Sequence, residues 1–188
     1  MNNDLRKMMC LDVYLNSLSK EEYQKIKHQL QPSTSEKPPL KSWGIFKDHY
    51  QKTSASLKRT ADINEVKKLG LKLKWKNDLD AIFKNESFEA LVITDLSKKI
   101  IWVNDGFSEM TGYSKKFALN QTPEFLQGVE TSEKVREKIR RNISRNEPFT
   151  QVITNYRKDR TPYQCELKVV PLFSEKSTYY IALEKQAI

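Results

Sequence analysis

Glycine, histidine and cysteine are scarce in this chain of 188 residues. None of the five glycines belongs to a phosphate-binding loop motif, and there is no Gly-x-Ser-x-Gly nucleophile turn. The two cysteines, Cys10 and Cys165, and the two histidines lack the spacing of a metal site or of a disulfide framework. No catalytic constellation is visible, so we expect a protein that is not an enzyme.

Long apolar runs are also absent. No window approaches the roughly 18 consecutive apolar residues of a membrane span. The N-terminus lacks the apolar core and the small-residue cleavage site of a signal peptide. Two cysteines without a disulfide pattern fit a reducing compartment. These absences predict a soluble, cytoplasmic protein that makes no membrane contact.

The net charge of +9 is unevenly distributed. Residues 1–84 carry 17 Lys and Arg against 10 Asp and Glu, whereas residues 85–188 carry 16 against 14. We interpret the basic excess as a solvated helical surface. A nucleic-acid-binding regulator that uses the basic stretch 47–76 stays an alternative, although that stretch has no helix-turn-helix signature and we do not expect a nucleic-acid partner.

Residues 1–84 have the pattern of a helical extension. Ser19 and Glu22 have the spacing of a capping box, which predicts a helix start. The segment 31–42 contains three prolines and three serines and is typical of a linker or turn. The pattern after this segment is again helical, with an interruption expected near Gly70. Residues 1–84 are therefore predicted to serve dimerisation or signalling.

From about residue 85 the pattern changes to short strands and helices. "EALVITD" and "KIIWVND" are β-rich runs around a polar turn, which predicts a hairpin. In "NDGFSEMTGYS", Asn104 is a natural helix N-cap and Gly112 a natural stop. Two further helices and three strands complete the order β-β-α-α-α-β-β-β. In the strand "YQCELKV", the alternating residues Tyr163, Cys165 and Leu167 share the apolar side.

This order, with these residues, resembles the PAS domain and, within it, the flavin-binding, blue-light-sensing LOV subgroup. The matching stretches are "TDLSKKIIWVNDGFSEMTGYS", "FLQG" followed by Thr131, "KIRRNI" and "NYRKDRTPYQCELKVVPL". The resemblance covers residues 85–186 and implies an α+β fold, a five-stranded antiparallel sheet with short helices over its concave face. With its helical N-terminus, the chain resembles small stand-alone bacterial PAS proteins.

The resemblance also shows what differs in the photochemical loop. LOV domains form a covalent bond between a cysteine and the flavin, in a loop that the family writes Gly-Arg-Asn-Cys-Arg-Phe-Leu-Gln-Gly. The position of that cysteine is Pro123 here, so no thioether can form. The arginine that follows it, a phosphate contact in the family, is Glu124, which would repel a flavin phosphate.

The other contact positions are only partly retained. Gln127, Arg140 and Asn155 match residues that contact the flavin ribityl chain, phosphate and ring in the family. A second ring-contacting Asn is replaced by Cys165, and the C-terminal Gln that reads the flavin ring is replaced by Glu184. These five residues form the candidate cofactor-binding pocket.

We expect no cofactor in this pocket, with non-covalently bound flavin mononucleotide (FMN) as an open alternative. Haem in the PAS pocket is not expected because residues 85–188 contain no histidine to serve as axial ligand. The predicted function is a sensor or protein-interaction module in signal transduction, which responds to a small ligand or partner and transmits through its N-terminal helices. The sequence identifies neither the ligand nor the protein partner.

Glu184 shares strand parity with Tyr180, which places it on the concave side of the last strand. There its carboxyl group would be paired, with Asn155 or Gln127 as donors, or partly protonated because desolvation favours the neutral acid. The alternative is a side chain that reaches solvent beside Lys185.

We predict a homodimer. The apolar helical faces of residues 5–15 and 43–50, together with the segment near 76–86, offer surfaces that a two-fold pairing would bury. Light scattering of the full chain at tens of micromolar should therefore give a dimer mass, and a monomer mass would contradict the prediction.

Overall fold

The computed structural model describes residues 18–26 and 41–187, apart from the side chains of residues 41–54. The chain divides into two compact units, residues 1–58 and residues 59–188. The predicted division at residue 84 stays a prediction. The apolar positions predicted in residues 5–15 and most of the linker lie outside the described residues, as do the side chains of residues 43–50.

In the first unit, helix α1 spans Lys20–Ile26. The Ser19 hydroxyl accepts a hydrogen bond from the Glu22 backbone N–H at 3.3 Å, and the Glu22 carboxylate accepts one from the Ser19 backbone N–H at 2.9 Å. This reciprocal pair is the predicted capping box. It satisfies two backbone donors that the first helical turn would leave without partners.

Helix α2 spans Lys41–Leu73 and runs through Gly70, and the next helix begins at Leu79, so the interruption expected near Gly70 follows a few residues after it. The helix ends at Leu73, and Lys74 adopts a positive φ of 55°. A Cβ added at Gly70 would lie 2.9 Å from the Trp75 ring. The glycine therefore makes room for the ring that folds back against the helix, and the cost of glycine within a helix is offset by that packing.

The second unit contains a five-stranded antiparallel sheet. Its strands are β1 (Ala90–Thr94), β2 (Ile100–Val103), β3 (Phe149–Tyr156), β4 (Pro162–Phe173) and β5 (Thr178–Gln186). Their order across the sheet is β2-β1-β5-β4-β3, with β5 at the centre. The predicted α+β class and the five-stranded antiparallel sheet are confirmed.

Short helices connect β2 to β3 and cover one face of the sheet, the pocket face. They are α4 (Asp105–Thr111), α5 (Lys115–Ala118), a 3-10 helix (Pro123–Leu126) and α6 (Glu133–Arg145). Phe107, Ala118 and Leu126 bring these elements into a cluster with Val92 and Ile153 of the sheet. The predicted stop of α4 is confirmed, because Gly112 ends the helix at a φ of 75°.

The opposite face of the sheet, the outer face, is covered by α2 and by the short helix α3 (Leu79–Phe83). Val66 of α2 and Phe83 of α3 pack in one cluster with Leu91, Ile181 and other strand residues. Because β1 and residues 180–184 of β5 are covered on both faces, these segments are mostly apolar, with Thr94 and Glu184 as exceptions. The helical segment from Arg59 onward is thus part of the same packed unit as the sheet.

Asn104 connects three of these elements. Its Oδ1 accepts hydrogen bonds from the backbone N–H groups of Leu91 in β1 at 2.9 Å and of Phe107 in α4 at 3.0 Å. Its Nδ2 donates to the Asp62 carboxylate of α2 at 2.8 Å. Asn104 is 1% exposed, so water cannot reach its polar atoms, and these hydrogen bonds within the protein satisfy them instead.

Asn104→Ala should destabilise the protein by about 3 kcal/mol, because it removes a helix cap and leaves buried groups without partners. The matched control is Ser114→Ala, which removes the exposed N-cap of α5, whose hydroxyl accepts from Phe117 N–H at 3.3 Å. The control should cost less than about 1 kcal/mol. Urea unfolding of both variants measures the difference, and equal losses would contradict the proposed role of Asn104.

Candidate ligand pocket

A cavity of about 130 Å³ lies between the pocket face of the sheet, the 3-10 helix and α6. Its lining surface is mostly apolar, and eight of the 19 lining residues are aliphatic. They are Val92, Leu126, Ile139, Ile143, Ile153, Leu167, Val169 and Ala182. Leu167 confirms the predicted apolar side of β4, and Ile139 and Ile143 lie four residues apart on one face of α6.

Helix α6 is held over the cavity at its C-terminal end. The helix ends at Asn146, which adopts the left-handed conformation with a φ of 55°. The Tyr180 hydroxyl of β5 donates a hydrogen bond to Asn146 Oδ1 at 2.6 Å. Because Tyr180 also lines the cavity, the same side chain forms part of the wall and fixes the helix above it.

The loop before α6 keeps a defined shape. Pro123 occupies the first position of the 3-10 helix, where its missing N–H costs no hydrogen bond. Leu126 then enters the core, 2% exposed. Thr131 Oγ1 accepts from Gly128 N–H at 2.9 Å and donates to the carbonyl oxygen of Thr154 in β3 at 2.6 Å. The loop is thus tied to the sheet, and it presents a proline ring where a thiol would be needed for covalent chemistry.

The structure brings four of the five predicted pocket residues to the cavity. Gln127, Arg140, Asn155 and Glu184 line it. Cys165 is not among the lining residues and lies fully buried in the adjoining core cluster. The role of these five residues in ligand binding stays a prediction.

Glu184 lies on the concave side of β5 and is 5% exposed. Its Oε2 atom is buried without a hydrogen-bond partner. Burial raises the pKa of this carboxyl group to about 7. The alternative that it reaches solvent was wrong, and the neighbouring Lys185 instead pairs with Glu166 at 3.0 Å.

The titratable neighbours of Glu184 on β4 are neutral. Burial raises the pKa of the Tyr163 hydroxyl and of the Cys165 thiol, and the negative charge of Glu184 raises both further. The Tyr163 hydroxyl is also buried without a hydrogen bond of ordinary geometry, although the Asn155 side chain lies close enough to lower its pKa slightly. Of the residues that line the cavity, Glu184 thus contributes a buried oxygen atom without a partner, whereas Tyr163 is not among them.

Besides Glu184, four charged residues line the cavity, and all of them reach solvent and define its mouth: Lys98, Glu124, Arg136 and Arg140. Arg136 and Arg140 both pair with Glu133, the latter at 3.2 Å. Arg136 also donates a hydrogen bond to the side-chain oxygen of Gln127 at 3.4 Å. Gln127, expected as a donor to Glu184, is an acceptor in this bond, and Oε2 of Glu184 receives no hydrogen bond from it.

Sequence reasoning missed Arg136 and Lys98. Arg136 lies four residues before Arg140, so the helical period alone places both on one face of α6. Lys98 gave no comparable signal, because it lies in the turn between β1 and β2 with a positive φ of 64°.

Within residues 18–26 and 41–187, no helix is long and apolar enough to cross a membrane. The same residues contain no group of three or more His, Cys, Asp or Glu side chains that could hold a metal ion.

Comparison with known proteins finds relatives of several kinds, among them photoreceptors and voltage-gated potassium channels. A "blue-light photoreceptor" of Listeria monocytogenes is 37% identical over 112 residues, which are 56% of this chain and 44% of that protein. "Blue-light-activated histidine kinase 2" of Erythrobacter litoralis is 32% identical over 100 residues, 50% of this chain and 29% of the kinase. The match thus spans less than half the length of these relatives.

Solved structures agree with the sequence relatives. The light-state structure of the LOV domain of the blue-light photoreceptor aureochrome 1 superposes with a TM-score of 0.52 at 28% identity, covering 60% of this chain and 90% of that domain. The LOV domain of an Erythrobacter litoralis blue-light-activated histidine kinase gives 0.50 at 31% identity, covering 54% of this chain and 97% of that domain.

The family comparison matches the description "PAS domain" to residues 89–184, just over half of the chain. This segment contains all five strands up to the middle of β5, together with every residue that lines the cavity. The chain belongs to the PAS domain family.

Proposed function

We propose that this chain is a cytoplasmic, non-enzymatic sensor module of signal transduction that binds a small organic ligand other than FMN and forms a homodimer. The observation that carries the proposal is the aliphatic cavity with the buried carboxyl group of Glu184 in its wall. Apolar pockets with a few convergent polar groups are the usual form of small-molecule sites. A buried polar atom without a partner costs stability and is rare in folded proteins unless it has a role.

A chain of hydrogen bonds supports transmission towards the N-terminal helices. The backbone oxygen of Glu184 accepts from the N–H of Glu89 at 2.8 Å, and the carbonyl oxygen of Glu89 accepts from Asn104 Nδ2 at 3.3 Å. Asn104 Nδ2 also donates to Asp62 of α2. A ligand that displaces Glu184 would therefore act on a strand that is bonded, through two residues, to α2.

The residues of the cavity do not fit FMN. Drug-sized ligands occupy pockets of about 300–1,000 Å³, whereas this cavity measures about 130 Å³. Pro123 supplies no thiol, and Glu124 adds a negative charge at the mouth, where a phosphate would meet it. Glu184 places a titratable acid where the resemblance implies an amide. The proposed function therefore does not involve a flavin.

Non-covalent flavin binding is the second candidate, because Gln127, Arg140 and Asn155 all line the cavity. It also draws on the relatives that are named blue-light photoreceptors and on a similar solved LOV domain whose description names a flavin analogue. This candidate requires the walls to separate beyond the geometry described above.

The natively purified protein should be colourless. Native mass spectrometry should detect either the bare chain or a small non-flavin adduct, and the absorbance spectrum should lack a blue band. The control is the same preparation after denaturation, which releases any bound cofactor. A stoichiometric amount of flavin in that supernatant would replace the proposal by the second candidate.

Glu184 should make stability depend on pH. Its folded pKa of about 7 lies above its ordinary value of 4.5, so the folded state holds a proton that the unfolded state releases between these values. Stability is therefore fully present below pH 4.5 and falls as the pH rises towards 7, by up to about 3 kcal/mol.

Glu184→Gln should remove this loss, since an amide does not titrate. Urea unfolding at several pH values between 4.5 and 8 measures it, with Glu124→Gln at the exposed mouth as the matched control. Parallel pH curves for the parent and Glu184→Gln would show that the carboxyl group is not buried as described.

A further inference from the structure

The carboxyl group of Glu184 contains an oxygen atom whose hydrogen-bonding capacity the protein does not satisfy. Its Oε2 atom has no hydrogen-bond partner, and the side chain lines a cavity whose surface is mostly apolar. A carboxylic acid in its neutral form carries one O–H donor, and a donor held out of water is favourable only when an acceptor meets it. The missing partner is therefore a hydrogen-bond acceptor.

We propose that the cavity binds a small apolar molecule that presents a neutral hydrogen-bond acceptor, a carbonyl oxygen or its equivalent, to the carboxylic acid of Glu184. This inference rests on the proposed function and names the chemical class of its ligand. An engineered apolar cavity of about 150 Å³ binds benzene, so the 130 Å³ here suits a single ring or a short branched chain.

The charges of the mouth argue against the opposite assignment, an ionised Glu184 that holds a cationic amine. Three of the four residues that define the mouth are basic, and Glu124 is the only acidic one among them. Glu133 offsets part of the arginine charge. An ammonium group would have to pass these cations, whereas a neutral carbonyl compound is not repelled.

The groups that face Glu184 favour the neutral acid as well. Tyr163 and Cys165 on β4 keep their protons, because burial raises the pKa values of both groups. On the cavity side, α6 and the β1–β2 turn contribute Arg136, Arg140 and Lys98, which lie at the mouth and are partly exposed. None of these three forms an ion pair with Glu184 in the structure.

Three probes with the same nine-atom skeleton test the proposal: acetophenone, isopropylbenzene and protonated 1-phenylethylamine. They differ only in carrying a carbonyl acceptor, no polar group or a cation. NMR titration of the full chain at pH 6, below the pKa of about 7 of Glu184, gives the dissociation constants and shows by the shifted residues whether binding is in the cavity. We expect acetophenone to bind about tenfold more tightly than isopropylbenzene, the value of one neutral hydrogen bond.

Two variants assign the preference to the acid. Glu184→Leu should abolish or reverse the preference for acetophenone, because no donor remains. Glu184→Gln keeps an N–H donor and should retain the preference at pH 6 and at pH 8, whereas the parent should lose it at pH 8 as the carboxyl group ionises. The second variant keeps the test decisive if the first fails to fold.

The remaining outcomes overturn the inference. Equal binding of acetophenone and isopropylbenzene in the cavity would leave a ligand pocket but refute its specificity for acceptors. Tightest binding of the ammonium probe would show an ionised Glu184 instead. The inference would also be refuted if the preference survives Glu184→Leu, or if none of the three probes binds at millimolar concentration. The native mass spectrometry described above tests the proposed function independently of these outcomes.

Discussion

The central position of β5 is the constraint on which the rest of the structure depends. Its partners are β1 on one side and β4 on the other, so its backbone groups are satisfied within the sheet and its side chains alternate between two buried faces. Ile181 and Leu183 point to the outer face, where α2 and α3 pack. Tyr180 and Glu184 point to the cavity. A slip of one residue would exchange these two sets, so the two-sided burial fixes the register.

Most of the fold follows from local sequence because each element carries a signal that its tertiary environment reinforces. The period-2 pattern of β4 places Cys165 and Leu167 on the buried side. In β5, successive side chains also point to opposite faces of the sheet, although both faces are buried. The cap at Asn104 is used as predicted, since its side chain accepts a hydrogen bond from the first turn of α4.

What the sequence could not reveal depends on contacts between distant segments. Gly70 has the intrinsic tendency to end a helix, but the Trp75 ring needs the space that its missing side chain provides. The state of Glu184 is another case. Strand parity placed it on the concave side, yet whether it found a donor depended on where the Gln127 side chain lies. That side chain accepts a hydrogen bond from Arg136, and Oε2 of Glu184 is left without a partner. Side-chain hydrogen bonds between different helices, strands and loops are not reflected in the periodic pattern of the sequence.

The covered outer face bears on how a cavity event could reach the N-terminal helices. Helix α2 packs directly on strands β1 and β5. A shift of β5 would therefore displace α2 through the side chains of Ile181 and Leu183. It would also act through the hydrogen bond between Asn104 and Asp62. Closely packed interiors respond to such shifts as a unit and do not absorb them locally. The same strand therefore carries the acid of the cavity on one face and the contact with the helix on the other, and a ligand need displace only that strand to act on both.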